Sequence, residues 1–295
     1  MEFTNFTELV KNEVEKRTGD GYSVRLNTVP KNNGITLNGI TILQEGCNIS
    51  PTIYLNDYYG AFQNGTATLG MIADDVMDLY GRNNPGKSIN MDYFLDYETV
   101  KHRIVYKLIN TEMNSALLED IPHVPFHDLS IVFEYLVPQQ ISDSASILIH
   151  NKYMKAWNID TEELYKTASI NTPLLRSYAM KSMNEVIKDI TGTAVFEGQF
   201  EIPMYVLSNM GGIQGAACIL YPNLLRDFAR ASQSDLFIIP SSVHECLILP
   251  DADPADGRQI KEMIREINKT EINAEEVLSD NLYIYEQCTN KLRML

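Results

Sequence analysis

Lysine and arginine are scarce in this 295-residue chain: 24, against 39 aspartates and glutamates, for a formal net charge of -15. So few cations argue against tracking nucleic-acid phosphates, where Lys and Arg release counterions. They argue equally against docking on an anionic membrane. Long apolar runs are missing as well, since none approaches the roughly 18 residues of a membrane span. The opening MEFTNFTELVKNEVEKRTG lacks a basic start followed by an apolar block, so no secretory leader is expected and a cytoplasmic location is. Cysteine is sparse, and Cys47, Cys218, Cys246 and Cys288 form no CxxC pair. That spacing suits small buried hydrophobes in a reducing compartment better than a disulfide or metal framework. The 44 % hydrophobic content is that of a globular chain. A chain this long can bury roughly three quarters of its unfolded surface.

Phe3, Phe6, Leu9, Val10 and Val14 recur at helical spacing, which predicts an opening amphipathic helix. Two β-prone runs flank Lys31-Asn32-Asn33-Gly34, so strands over 22–29 and 34–43 form a predicted hairpin. A stripe of Leu69, Ile72, Ala73, Val76, Met77 and Tyr80 predicts a helix over 66–80. Residues 100–110 fit a strand or a helix equally well. DLSIVFEYLV (128–137) and SASILIH (144–150) read as an antiparallel pair joined by PQQISD. Further on, Asp160 caps a helix with Glu163 at the reciprocal position, burying Leu164, Ala168 and Ile170. MKSMNEVIKDI has helical spacing too. Strands are expected at 202–208, 215–221, DLFIIP, VHECLILP and LYIYEQ, with helices after Tyr221-Pro222 and over 255–268. Paired strands with helices interspersed, but not in strict alternation, predict an α+β fold with mainly antiparallel sheets. A single globular unit over 1–295 is expected; if it has two lobes, 1–120 and 121–295, the weakest seam lies near 112–127.

Pro240-Ser241-Ser242-Val243-His244-Glu245 holds the hydroxyl, imidazole and carboxylate that a nucleophilic hydrolase needs. In an extended strand, however, Glu245 faces away from His244, and no GxSxG elbow occurs. Ser241, Ser242, His244 and Glu245 are therefore equally readable as a turn between two strands. His123 and His127 sit at i, i+4, but Pro122 and Pro125 disfavour the helix that would bring them together on a metal. A proline-rich loop with exposed histidines is expected there, with no metal site and no cofactor. Asn209-Met-Gly-Gly-Ile-Gln-Gly215 lacks the Lys-Ser/Thr of a phosphate loop. Tyr54, Asn56, Asp57, Tyr58 and Tyr59, beside Phe62, could line a ligand pocket or an interface, or simply pack on a helix. The acidic tract 251–256 has no EF-hand spacing and reads as a solvated loop.

YVLSNMGGIQGAACILYPNLLRDFA, DLFIIPSSVHECLILP and LSDNLYIYE, with NGITLNGITIL and SPTIYLNDYY nearer the start, resemble a gut Firmicute family catalogued only as a domain of unknown function. The PSSVHE string is its most specific mark. The C-terminal half also faintly resembles a second such family. The resemblance implies a bacterial cytoplasmic origin, on a mobile element in one reading, and transfers no activity, cofactor or residue role.

Two functions follow from the residues. The first is a non-catalytic binding or regulatory protein, taking a protein partner or a small polar ligand. The second is a hydrolase or transferase built on Ser241 or Ser242, His244 and Glu245. Nucleic-acid mimicry fits the charge. Sequestering a nucleotide would need a local basic pocket, such as one drawing on Lys101 and Arg103.

Overall fold

The stripe of apolar residues that opens the chain folds as expected. Helix α1 (Phe3–Glu15) turns Phe6, Val10 and Val14 fully inward. The computed structural model describes residues 1–84, 86, 92–138, 145–192, 203–250 and 257–295. They divide into two units, one of residues 1–31 and 35–93, the other of 32–34 and 94–295. The expected seam at 112–127 lies inside the second unit, because the strands on either side of it pair with each other.

In the first unit, β1 (Tyr22–Pro30) and β2 (Thr36–Gln44) pair antiparallel from Tyr22↔Gln44 to Pro30↔Thr36. The turn between them needs left-handed backbone, and Asn33 (φ 59°) and Gly34 (φ 67°) supply it. β3 (Thr52–Tyr54) extends the sheet, and α2 (Asn56–Gln63) and α3 (Leu69–Asn83) complete the unit. Thr68 caps α3, its hydroxyl accepting from the Met71 N–H at 3.3 Å. Ile72, Ala73, Val76 and Tyr80 then join Phe6, Ile40, Ile42 and Leu55 in one core.

The second unit holds two antiparallel sheets with helices around them, an α+β arrangement. The first sheet runs β4-β6-β5, with β7 also on β6: β4 is Ile104–Asn110, β5 His123–Phe126, β6 Leu129–Leu136 and β7 Ser146–Leu148. The second runs β13-β12-β10-β11-β9-β8: β8 is Tyr178–Ser182, β9 Tyr205–Asn209, β10 Leu236–Ile239, β11 Cys246–Pro250, β12 Tyr283–Glu286 and β13 Lys291–Met294. The helices are α4 (Tyr97–Val100), α5 (Ser115–Leu118), α6 (Asn151–Trp157), α7 (Thr161–Leu175), α8 (Met183–Thr191), α9 (Leu224–Ser232) and α10 (Gly257–Thr270). Ile264 of α10 packs with Phe237, Ile239, Leu249, Leu282 and Ile284 on one face of the second sheet.

Four expectations are corrected. The segment around Pro125 is a strand, not a loop. It forms a sheet edge, where a missing N–H is tolerated, and His127 (φ 56°) with Asp128 makes its two-residue turn into β6. Residues 215–220 form a buried 3-10 turn rather than a strand, for a steric reason given below. Ile170 lies 61 % exposed while Thr172 is buried in its stead, because α7 runs on through Pro173 with Thr172 facing β4. Within MKSMNEVIKDI the helix starts only at Met183, its first residues belonging to β8. The tract 251–256 and most of the PQQISD connection lie outside the described residues.

Candidate functional site

The PSSVHE string leaves β10 and enters β11 through a loop, so strand alternation does not govern its side chains. Ser242 is buried, and its hydroxyl accepts from the His244 backbone N–H at 3.1 Å. The His244 ring accepts at Nδ1 from the Gln214 backbone N–H, 3.3 Å away. A neutral imidazole that accepts at Nδ1 carries its proton on Nε2. That nitrogen faces Glu276 Oε1 at 3.6 Å. Glu245 is exposed and Ser241 half-buried. Nδ1 is thus taken up by a backbone N–H while Nε2 lies within ion-pair range of a carboxylate, and neither nitrogen hydrogen-bonds a serine hydroxyl among the described residues.

Gly215 explains why this loop closes so tightly. A Cβ there would stand 2.5 Å from the His244 carbonyl oxygen and 2.6 Å from the Asn209 nitrogen, and would overlap the Ser208 hydroxyl. Ser208 donates to the same His244 carbonyl at 2.7 Å, and Ala216 N–H donates to Val243 O at 3.2 Å. The glycine-rich 209–215 loop and the PSSVHE loop therefore lock together. Beneath them, burial pushes the Cys218 thiol up to about 11 and raises that of Cys246. Each stays a thiol, donating to the Ser208 and Ala216 carbonyls. All four cysteines are unbridged.

The aromatic group of the first unit is occupied in packing and local hydrogen bonds. Tyr54 lies under the Lys31 ammonium, 4.4 Å from ring centre to nitrogen. Asn56 accepts from Asn38 N–H at 3.0 Å, and Asp57 sits in the first turn of α2. Burial and the hydrogen bond it gives Asp75 push the Tyr58 hydroxyl up to about 12. Tyr59 packs on Phe3 and Phe6 and donates to Met1 O. Lys101 pairs with Glu98, and Arg103 donates to the Leu136 and Val137 carbonyls, so these two cations are already engaged.

A polar cleft of about 650 Å³ opens elsewhere in the second unit. Asp128 stands in it, placed by the tight β5–β6 turn. Its carboxylate accepts from Ser279 Oγ at 2.6 Å, Asn281 Nδ2 at 2.9 Å and the Tyr283 hydroxyl. Burial, and then the hydrogen bond to Asp128, raise the Tyr283 pKa, keeping it a proton donor. Asn110 holds the β4 end, donating to Leu278 O and accepting from Met113 N–H, both at 2.9 Å. Across the cleft, α10 presents Arg265 and Lys269 one turn apart. Neither forms an ion pair among the described residues, nor does Glu112 on the same lining. Asn268 is buried between them and fixes Ser279 O and Asp280 Oδ1 at 2.9 and 2.8 Å. Nothing in the sequence pattern marked this cleft, because its residues come from four separate segments.

Among the described residues, no group of three or more His, Cys, Asp or Glu could hold a metal ion. No described helix is long and apolar enough to cross a membrane. The model of a family of unknown function matches residues 3–287. No curated protein and no solved structure matches the chain.

Proposed function

Since the chain belongs to this family, DUF5688, along nearly its whole length, and the family brings no activity with it, we propose from geometry that the protein is a non-catalytic binding or regulatory protein. Its ligand on this reading is a small polar molecule held in the cleft beside Asp128. The observation that carries it is the pairing of fixed and free groups there. Asp128, Asn110 and Asn268 are held by hydrogen bonds from or to their neighbours, while Arg265, Lys269 and Glu112 line the opening with no ion pair among the described residues. A preformed concave site with a few convergent polar groups is how small ligands are recognised. The backbone N–H bound at His244 Nδ1, with Glu276 rather than a serine beside Nε2, supports a structural role for PSSVHE over the hydrolase reading. The unbridged thiols and the family resemblance support a bacterial, cytoplasmic setting, and the shortage of cations speaks against nucleic-acid backbone binding.

A thermal-shift screen of polar metabolites tests the proposal. At least one compound is expected to raise the Tm of the wild-type protein and to lose that effect in Arg265→Gln/Lys269→Gln. Binding that survives this double substitution unchanged would move the site elsewhere.

A further inference from the structure

A second cleft lies in the same unit, beside α9, and its chemistry differs from the first. It encloses about 540 Å³, within the range of small-molecule pockets. In a chain of net charge -15 its lining carries no carboxylate among the described residues. Its charged groups are Arg226 and Arg230, one helical turn apart on α9. Arg226 is shared with its neighbour Asp227 through Nε and Nη2, which leaves Nη1 free of that pair. Arg230 is exposed and forms no ion pair or hydrogen bond among the described residues.

The other walls are mostly apolar or aromatic, with the amides of Asn223 and Asn290 among them. Phe126 comes from the end of β5, Leu225 from α9, Leu292 from β13 and the Tyr285 ring from β12. Tyr285 is itself oriented by the hydrogen bond its hydroxyl gives Asn290 Oδ1 at 3.3 Å. Asn290 can close that turn because its backbone is left-handed, at φ 52°. Carboxylates and phosphates match the planar donor fork of a guanidinium, which an ammonium does not reproduce. Two guanidinium groups above an apolar floor suit a ligand with an anionic head and a compact aromatic or aliphatic body.

We infer that this cleft is a binding site for a small organic anion bearing an apolar, preferably aromatic, body. The site is separate from the Asp128 cleft and would stand if that proposal fell. The two clefts also divide by charge, since the first mixes carboxylates with cations and the second offers cations alone.

The test uses 1-anilinonaphthalene-8-sulfonate as a fluorescent probe of the purified full chain. Saturable binding at one site is expected, with displacement by phenyl phosphate or benzoate and none by uncharged benzyl alcohol. Whichever anion displaces at the lower concentration identifies the preferred head group. R226Q/R230Q is expected to weaken the probe at least tenfold, and R265Q/K269Q in the other cleft to leave it unchanged. Leu292→Trp, which fills the apolar wall and keeps both arginines, should weaken it similarly and decides the matter if the arginine double variant fails to fold. Equal probe affinity in the wild type and the Arg226/Arg230 or Leu292 variants, displacement by benzyl alcohol, or no saturable binding would overturn the inference.

Discussion

At the scale of single residues, the glycine and the histidine of the two interlocked loops carry the clearest consequences. Gly215→Ala would drive a methyl group into two backbone atoms, which cannot swing aside as a flexible side chain would. Overpacking of this kind costs about 3 kcal/mol or more, and chemical denaturation should show it as a lower midpoint. His244→Ala is milder, leaving the Gln214 N–H without its acceptor and Glu276 without its ring partner. A loss of about 1–3 kcal/mol follows from an unmet donor of that sort. The sequence displays Ser, His and Glu together, but cannot say that the imidazole is taken up by a backbone N–H thirty positions away. Residue types were legible here; their partners, fixed by long-range loop contact, were not.

Among the elements, those with strong local signals were legible. The Asn-Gly turn fixed the β1–β2 hairpin, and the apolar stripes of α1 and α3 met the same core. Asp160 is likewise the cap of α7, its Oδ1 accepting from Glu163 N–H at 2.8 Å. Asp160→Ala should cost about 1 kcal/mol, and Asp160→Asn, which keeps an acceptor, much less; thermal unfolding of both variants checks this. The β5–β6 hairpin escaped notice because His127 and Asp128 stand where such turns prefer Asn-Gly or Asp-Gly. GAACIL misled in the opposite sense. Its small, apolar residues suit a strand, yet the left-handed Gln214 (φ 57°) and the crowding at Gly215 roll them into a buried turn.

The protein's response to acid is a property of the second unit as a body. Glu134 on β6 is 2 % exposed, and ties Lys107 of β4, at 3.1 Å, to Arg176 at the end of α7, at 2.6 Å. Burial on its own would raise this carboxyl, but the two cations outweigh it and lower its pKa to about 2. The unfolded chain, with an ordinary carboxylate, therefore binds the proton first as pH falls. The stabilisation is complete above about pH 5 and is lost progressively down to pH 2, with a magnitude on the order of 3 kcal/mol. Urea unfolding between pH 6 and pH 2.5 should show this slope, and Glu134→Gln should flatten it while lowering stability at pH 6. No sequence pattern announced this triad, since its members come from three elements that meet only on folding.

Function at the scale of the whole molecule rests, on the proposed reading, on one contrast: the PSSVHE loop serves the fold, while the clefts present Arg230, Arg265 and Lys269, which form no ion pair among the described residues. Turnover of a broad panel of esters, amides and phosphoesters by the wild type, with His244→Ala alongside, tests this most directly. The account predicts no turnover above background for either protein. An activity present in the wild type and abolished in a folded His244→Ala variant would contradict it.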